Sequence, residues 1–238
     1  QCPEFHQRLI EGAGIPVGDE GSEFSKNFLV ELRARQGLPA ENSHHDPPDI
    51  CVEKREGNAV CLAQHRRCRV WPEARDFPEN VQLEYRVFLP DTPGTHIVYL
   101  CASDSAGQML TPESFGAAGE AGRIQSSGLL SYQVYCHAFD RSGRSLGGTR
   151  LRKNPSNILL SGNPVDPCRE NRSYWIDVLK VGSRIQFFVD GVAVHDVRDR
   201  GGFGPVYMNG QFGFAVQGKA GGFRAVIDDV AVYKLIPR

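Results

Sequence analysis

Between Tyr174 and Tyr233 the chain breaks into short apolar segments separated by Val181-Gly182, Asp190-Gly191, Asn209-Gly210 and a glycine-rich stretch at 218–222. Asp-Gly and Asn-Gly between alternating segments signal hairpins, because both central residues of a type I′ turn need positive φ. Four or five antiparallel strands packed this densely predict an all-β, two-sheet antiparallel sandwich. Such a fold carries its chemistry on an open sheet face or on the loops at its rim.

The remaining sequence fits one domain over 1–238, since all-β sandwiches commonly run to about 200–250 residues undivided. Residues 1–58 read as an irregular N-terminal segment packed on the sandwich. Formal net charge is −1, with 27 Lys and Arg against 28 Asp and Glu. That balance argues against a nucleic-acid partner, which needs surplus cations facing phosphates. No apolar run approaches the roughly 20 residues of a membrane-spanning helix, so no membrane partner is expected. The chain begins at Gln1 rather than Met. A removed secretion signal, and hence a secreted or extracytoplasmic location, is the expectation.

Seven cysteines leave at least one without an internal partner. Cys101 and Cys136 lie in apolar, strand-like segments and read as buried thiols. Cys2, Cys51, Cys61, Cys68 and Cys168 sit in polar, loop-like surroundings where disulfides are more natural. None has the paired C-x-x-C spacing of a zinc site. His44, His45 and Asp46 have ligand chemistry but fall in a proline-terminated loop, and adjacent residues rarely converge on one ion. Asp228-Asp229 offers hard oxygen ligands, so a structural calcium is the only cofactor the sequence leaves open.

Two strands carry the candidate chemistry. Residues 81–89 alternate, with Val81, Leu83, Tyr85, Val87 and Leu89 on one face and Gln82, Glu84, Arg86 and Phe88 on the other. Residues 95–102, following Pro93-Gly94, are expected to be their apolar hairpin partner. Residues 103–128 read as a long loop. In residues 131–139, Tyr132, Val134, Cys136 and Ala138 read as core, while Gln133, Tyr135, His137 and Phe139 face away. Gln133, Tyr135 and His137 would stand about 7 Å apart along one side of that strand. Such a line can hydrogen-bond a polyol and stack a sugar ring, and Tyr135 and His137 can exchange protons. The cationic stretch Arg150-Leu151-Arg152-Lys153-Asn154 suits an anionic ligand, because a guanidinium meets a carboxylate through two charge-assisted hydrogen bonds. In a strand Arg150 and Arg152 share a face. The competing readings are a solvated sheet face for the first group and a guarded strand edge for the second. His195 reads as structural. No G-x-S-x-G, H-E-x-x-H, phosphate-loop or dinucleotide fingerprint occurs.

An ordered series of short motifs supports a family resemblance. It runs through Leu151-Arg152-Lys153-Asn154-Pro155, Val165-Asp166-Pro167, Arg184 to Gly191, Gly204-Pro205-Val206, Gly210-Gln211-Phe212-Gly213-Phe214 and Ala225 to Val232. Over about residues 81–235 the chain resembles the YesU-like family of concanavalin-type sandwiches, long catalogued as a domain of unknown function. That resemblance implies a jelly roll, concanavalin A-like or laminin G-like, with a concave sheet face and a role with pectin-type polysaccharide. The chain departs from the family's Tyr-His-Ser-Gly-Asp segment, where it reads Gln125-Ser126-Ser127-Gly128-Leu129. It departs again at the family's Tyr-His pair, which is Tyr132-Gln133 here.

The resulting expectation is a monomeric carbohydrate-active protein acting on an acidic poly- or oligosaccharide, a polysaccharide lyase or related glycan-cleaving enzyme foremost. Tyr135, His137 and Arg152 are the candidate catalytic residues. Gln133, Arg150, Lys153, Asn154, Arg86 and Glu84 are the candidate substrate contacts. A non-catalytic glycan-binding module and a structural or protein-interaction sandwich are the alternatives.

Overall fold

A computed structural model of the chain describes residues 50–54, 60–64, 67–70, 77–89, 94–110, 128–140, 142, 144–218 and 223–235. Thirteen strands follow one another: β1 (Ile50–Lys54), β2 (Val60–Gln64), β3 (Arg67–Val70), β4 (Val81–Leu89), β5 (Gly94–Ser103), β6 (Leu130–Phe139), β7 (Thr149–Asn154), β8 (Ile158–Asn163), β9 (Arg172–Val181), β10 (Arg184–Val189), β11 (Val192–Arg198), β12 (Gln211–Gly218) and β13 (Phe223–Lys234). They build a seven-stranded sheet in the order β1-β2-β13-β4-β9-β10-β11 and a six-stranded sheet in the order β3-β12-β5-β6-β7-β8. Every strand pairing is antiparallel. The all-β sandwich is therefore the fold, with no helix among the described residues.

Alternation along the strands decides what lies between the sheets. Leu83, Tyr85 and Val87 of β4 pack there against Val98 and Leu100 of β5, Tyr132, Val134 and Cys136 of β6, Leu151 of β7 and Phe187 of β10. A second, smaller apolar cluster lies on the other side of the six-stranded sheet. It holds Ile97, Tyr99 and Ala102 of β5, Ala215 of β12, Leu110 and Leu129, with Tyr135 packed against it. That explains why β5 is buried on both faces and reads as an unbroken apolar run.

The hairpin signals hold at two places. Gly182 (φ 52°) turns β9 into β10, and Asp190-Gly191 (φ 47° and 76°) turns β10 into β11 as a left-handed pair. Asn209-Gly210 does not join paired strands, because β11 belongs to one sheet and β12 to the other. The expected hairpin of residues 81–89 with 95–102 is likewise corrected. β4 pairs with β13 and β9, whereas β5 crosses to the opposite sheet between β12 and β6. The physical reason is its two apolar faces, which only a central strand covered on both sides can bury.

The cysteine reading changes too. Cys168 is fully buried in the main core, and the Cys136 thiol hydrogen-bonds with it. Among the described residues Cys136 and Cys168 are thiols outside any disulfide, and Cys101 is buried as expected. Cys51, Cys61 and Cys68 lie on β1, β2 and β3 rather than in loops. Within the segment 1–58 expected to be irregular, residues 50–54 form β1; residues 1–49, with His44, His45 and Asp46, and residues 55–59 and 111–127 fall outside the described residues.

Candidate functional site on the six-stranded sheet

The pairing register assembles the candidate site on the outer face of the six-stranded sheet. Tyr99 of β5 stands opposite Gln133 of β6, which stands opposite Arg152 of β7. One step along, Ile97 faces Tyr135 and Tyr135 faces Arg150. Neighbouring strands are about 4.8 Å apart, so each row is a line of adjacent side chains. The alternation expected for β6 is observed: Tyr132, Val134 and Cys136 enter the core while Gln133 and Tyr135 lie on the opposite face. Tyr135 is half-buried beside the apolar cluster of Ile97, Tyr99, Leu110 and Leu129. His137 follows on the same strand, but its side chain lies outside the described residues.

Gln133 is only 2% exposed. Its Nε2 donates to Asn157 Oδ1 at 2.6 Å and, more weakly, to Asn154 Oδ1 at 3.4 Å. Asn154 Nδ2 in turn donates to Ser131 Oγ at 2.9 Å. Arg152 is half-buried and donates from Nη1 to the Asn157 carbonyl at 2.7 Å. Asn157, which the sequence reading missed, thus anchors both Gln133 and Arg152. It sits at the β7–β8 turn with Ser156, both at positive φ (55° and 73°). The signal was present, because Pro-Ser-Asn favours a turn and Asn tolerates the left-handed region. Arg150 donates from Nη2 to the Leu146 carbonyl. A Cβ on Gly147 (φ 106°) would run into that guanidinium, so glycine leaves the space Arg150 occupies.

Three expected contacts do not belong to this face. Lys153 points between the sheets, as its alternation with Arg152 requires, and its Nζ is bonded to Asp199 Oδ2 at 2.7 Å and to the Gly204 carbonyl at 3.0 Å. It also lies 4.8 Å from the Tyr207 ring centre. Burial works to raise the Asp199 pKa, but hydrogen bonds from Lys153 and Tyr132 hold it below the usual carboxylate value. Glu84 and Arg86 are on β4, hence on the outer face of the seven-stranded sheet, with the whole sandwich between them and Tyr135.

That second face is occupied by its own charges. Arg86 meets Asp228 at 2.9 Å and Asp229 at 3.2 Å, so a guanidinium stands where a calcium at Asp228-Asp229 would have to sit. No group of three or more His, Cys, Asp or Glu arranged for a metal occurs among the described residues. Glu84 stands opposite Asp177. Burial, then the Asp177 and Asp229 charges, raise its pKa from 4.5 to about 7. Gln82, fully buried, donates to Asp177 Oδ1 at 3.1 Å. Arg184 forks onto Asp196 at 2.9 and 2.6 Å.

The geometry can be set beside known proteins. A family model described as a domain of unknown function, DUF1961, matches residues 54–225. The chain belongs to this family. No curated protein matches the sequence of this DUF1961 chain. Among solved structures it is similar to a Bacillus subtilis protein of unknown function with a galectin-like fold. That match has 19% identity and a TM-score of 0.67, covering 76% of this chain and 84% of the other. It is also similar to the carbohydrate-binding module CBM66 from Bacillus subtilis, at 14% identity and a TM-score of 0.50 over 74% and 86% of the two chains. At these identities the likeness is one of fold: a galectin-like jelly-roll sandwich, as the sequence resemblance implied.

Proposed function

We propose that this DUF1961 protein binds an acidic glycan on the outer face of its six-stranded sheet and cleaves it by β-elimination. The observation that carries the reading is the cross-strand pairing of Tyr135 with Arg150 and of Gln133 with Arg152, which sets a phenol beside two half-buried guanidiniums. In the proposed step Arg152, supported by Arg150, forks onto the uronate carboxylate and stabilises the charge that develops when C5 loses its proton. Tyr135, with His137, takes that proton and returns one to the departing oxygen. The C5–H bond and the C4–O bond break, a C4–C5 double bond forms, and the proton count balances without a co-reactant. The similarity in fold to a carbohydrate-binding module is consistent with a sugar ligand, and a secreted monomer meeting extracellular polysaccharide belongs to the same proposal.

A second reading, binding without cleavage, is favoured by one observation. Gln133 is buried with its amide nitrogen already bonded, which leaves fewer polar groups for proton transfer. The test is incubation with a panel of polyuronates while following the ultraviolet absorbance of unsaturated uronate ends. New absorbance that Arg152→Ala and Tyr135→Phe abolish is the expected result. Binding with no new double bonds establishes the second reading, and no binding to any acidic glycan overturns both.

A further inference from the structure

Exposure is unequal along the two rows that cross the six-stranded sheet. In the first, Tyr99 and Gln133 are each 2% exposed and Arg152 is half-buried, but Leu159 of β8, directly opposite Arg152, is 52% exposed. In the second, Tyr135 and Arg150 are half-buried and the residue opposite Arg150 is an exposed glycine, Gly162. Residues directly opposite one another share a face. The open ground beside the two guanidiniums is therefore β8, the last strand of the sheet.

Leu159 and Gly162 are three residues apart and would point to opposite faces of a regular strand. The pairing of β7 with β8 shifts register between Leu151 and Arg152, and the two residues between them both turn inward. Leu160 packs against the main core, and Ser161 Oγ bonds to His195 Nδ1 at 3.0 Å. Leu159 and Gly162 are thereby left on the same side: a Cβ added at Gly162 would lie 3.8 Å from a Leu159 methyl, an ordinary contact, and would meet nothing closer. Nor is the Gly162 φ in the left-handed region. Neither backbone conformation nor crowding thus requires glycine here. Glycine weakens a strand, and a further reason for its presence is close approach of a ligand to the backbone.

We propose that Leu159 and Gly162 form the shelf on which a uronate ring lies when Arg152 and Arg150 hold its carboxylate. The apolar C–H face of the ring packs on the Leu159 side chain, and the ring edge takes the room that a side chain at Gly162 would fill. Guanidiniums alone accept any carboxylate, whereas an apolar wall beside them also requires a ring, so the shelf selects sugar acids over ringless anions. This rests on the proposed function of the six-stranded face and names what gives that site its preference for sugar.

The experiment is calorimetric titration with a polyuronate oligomer and with a ringless acrylate oligomer of the same charge. Wild type should bind the uronate more tightly than the acrylate. Leu159→Asn and Gly162→Val should each bind the uronate about tenfold more weakly and the acrylate as wild type does, and Leu159→Phe should keep the wild-type preference. Both positions are exposed and valine suits a strand, so chemical denaturation should give wild-type midpoints. Arg152→Ala should weaken both polymers. Uronate affinities in Leu159→Asn and Gly162→Val equal to wild type, or losses equal for the two polymers, overturn the shelf; with Arg152→Ala still impaired, the proposed function stands. Wild type that binds no polyuronate overturns the proposed function and the shelf with it.

Discussion

The two outer faces of this sandwich arise from the same sequence rule and end in opposite states. Both come from strands whose inward residues are mainly apolar and whose outward residues include charged and aromatic side chains. On the seven-stranded sheet the outward arginines meet carboxylates, Arg86 with Asp228 and Asp229 and Arg184 with Asp196, and the Gln82 amide donates to Asp177. On the six-stranded sheet the outward cations are held mainly by backbone carbonyls, Arg152 by Asn157 and Arg150 by Leu146. A carbonyl orients a guanidinium without neutralising it, so the positive charge is kept for an anion. Alternation thus decides which residues leave the core, and only the partners across the strands decide which face is left with work to do.

The largest expected effect tests a residue that belongs to neither face. Lys153→Met leaves Asp199 desolvated without its cation, and should cost about 3–5 kcal/mol of folding stability. Chemical denaturation of the variant reads this directly. A variant with an unchanged midpoint and weakened glycan binding would return Lys153 to the ligand face. Next comes the comparison of faces itself. Arg152→Ala should lower turnover or affinity for a polyuronate by on the order of a hundredfold, about 2.7 kcal/mol, while Arg86→Ala leaves both unchanged. Equal losses in the two variants would take the ligand off the six-stranded sheet.

What the sequence made legible follows the same division. The period-two pattern of residues 131–139 correctly separated Tyr132 and Val134 from Gln133 and Tyr135, because that separation is local geometry. It also placed Arg150 with Arg152 and against Lys153. It could not say that Glu84 and Tyr135 lie on opposite sides of the molecule, since β4 and β6 alternate alike and their assignment to sheets depends on long-range pairing. For the same reason the expected hairpin between β4 and β5 failed. Tyr99 and the Asp199 anchor were illegible because each acts through a partner far along the chain, whereas Asn157 carried a local turn signal in Pro155-Ser156-Asn157.

The pH dependence of stability sharpens the contrast between the faces. His195, 2% exposed on β11, bonds through Nδ1 to Ser161 Oγ at 3.0 Å across the seam between the two sheets. Burial lowers its pKa from 6.5 to about 4, so the folded protein keeps it neutral while the unfolded chain takes up a proton. Its contribution is complete above pH 6.5 and is lost as pH falls from there towards 4, by roughly 2–3 kcal/mol. His195→Gln should flatten that acid limb in thermal melts across pH. An acid limb that survives unchanged would place its origin elsewhere.

The smallest effect belongs to the seven-stranded face. The Glu84 pKa is raised from 4.5 to about 7, so its proton is bound more tightly in the folded state than in the unfolded one. The associated stability is fully present below pH 4.5 and is lost as pH rises through 7, when Glu84 and the facing Asp177 are both charged. Because Glu84 is partly open to water the loss is discounted to about 1 kcal/mol. Glu84→Gln keeps the shape and removes the titration, so it should stabilise the protein above pH 7 and leave it unchanged near pH 4. Activity on a polyuronate should not move at all in this variant. Should Glu84→Gln instead abolish turnover while the protein stays folded, the carboxylate pair would be the reacting centre and the functional face would be the one built on β4 and β9.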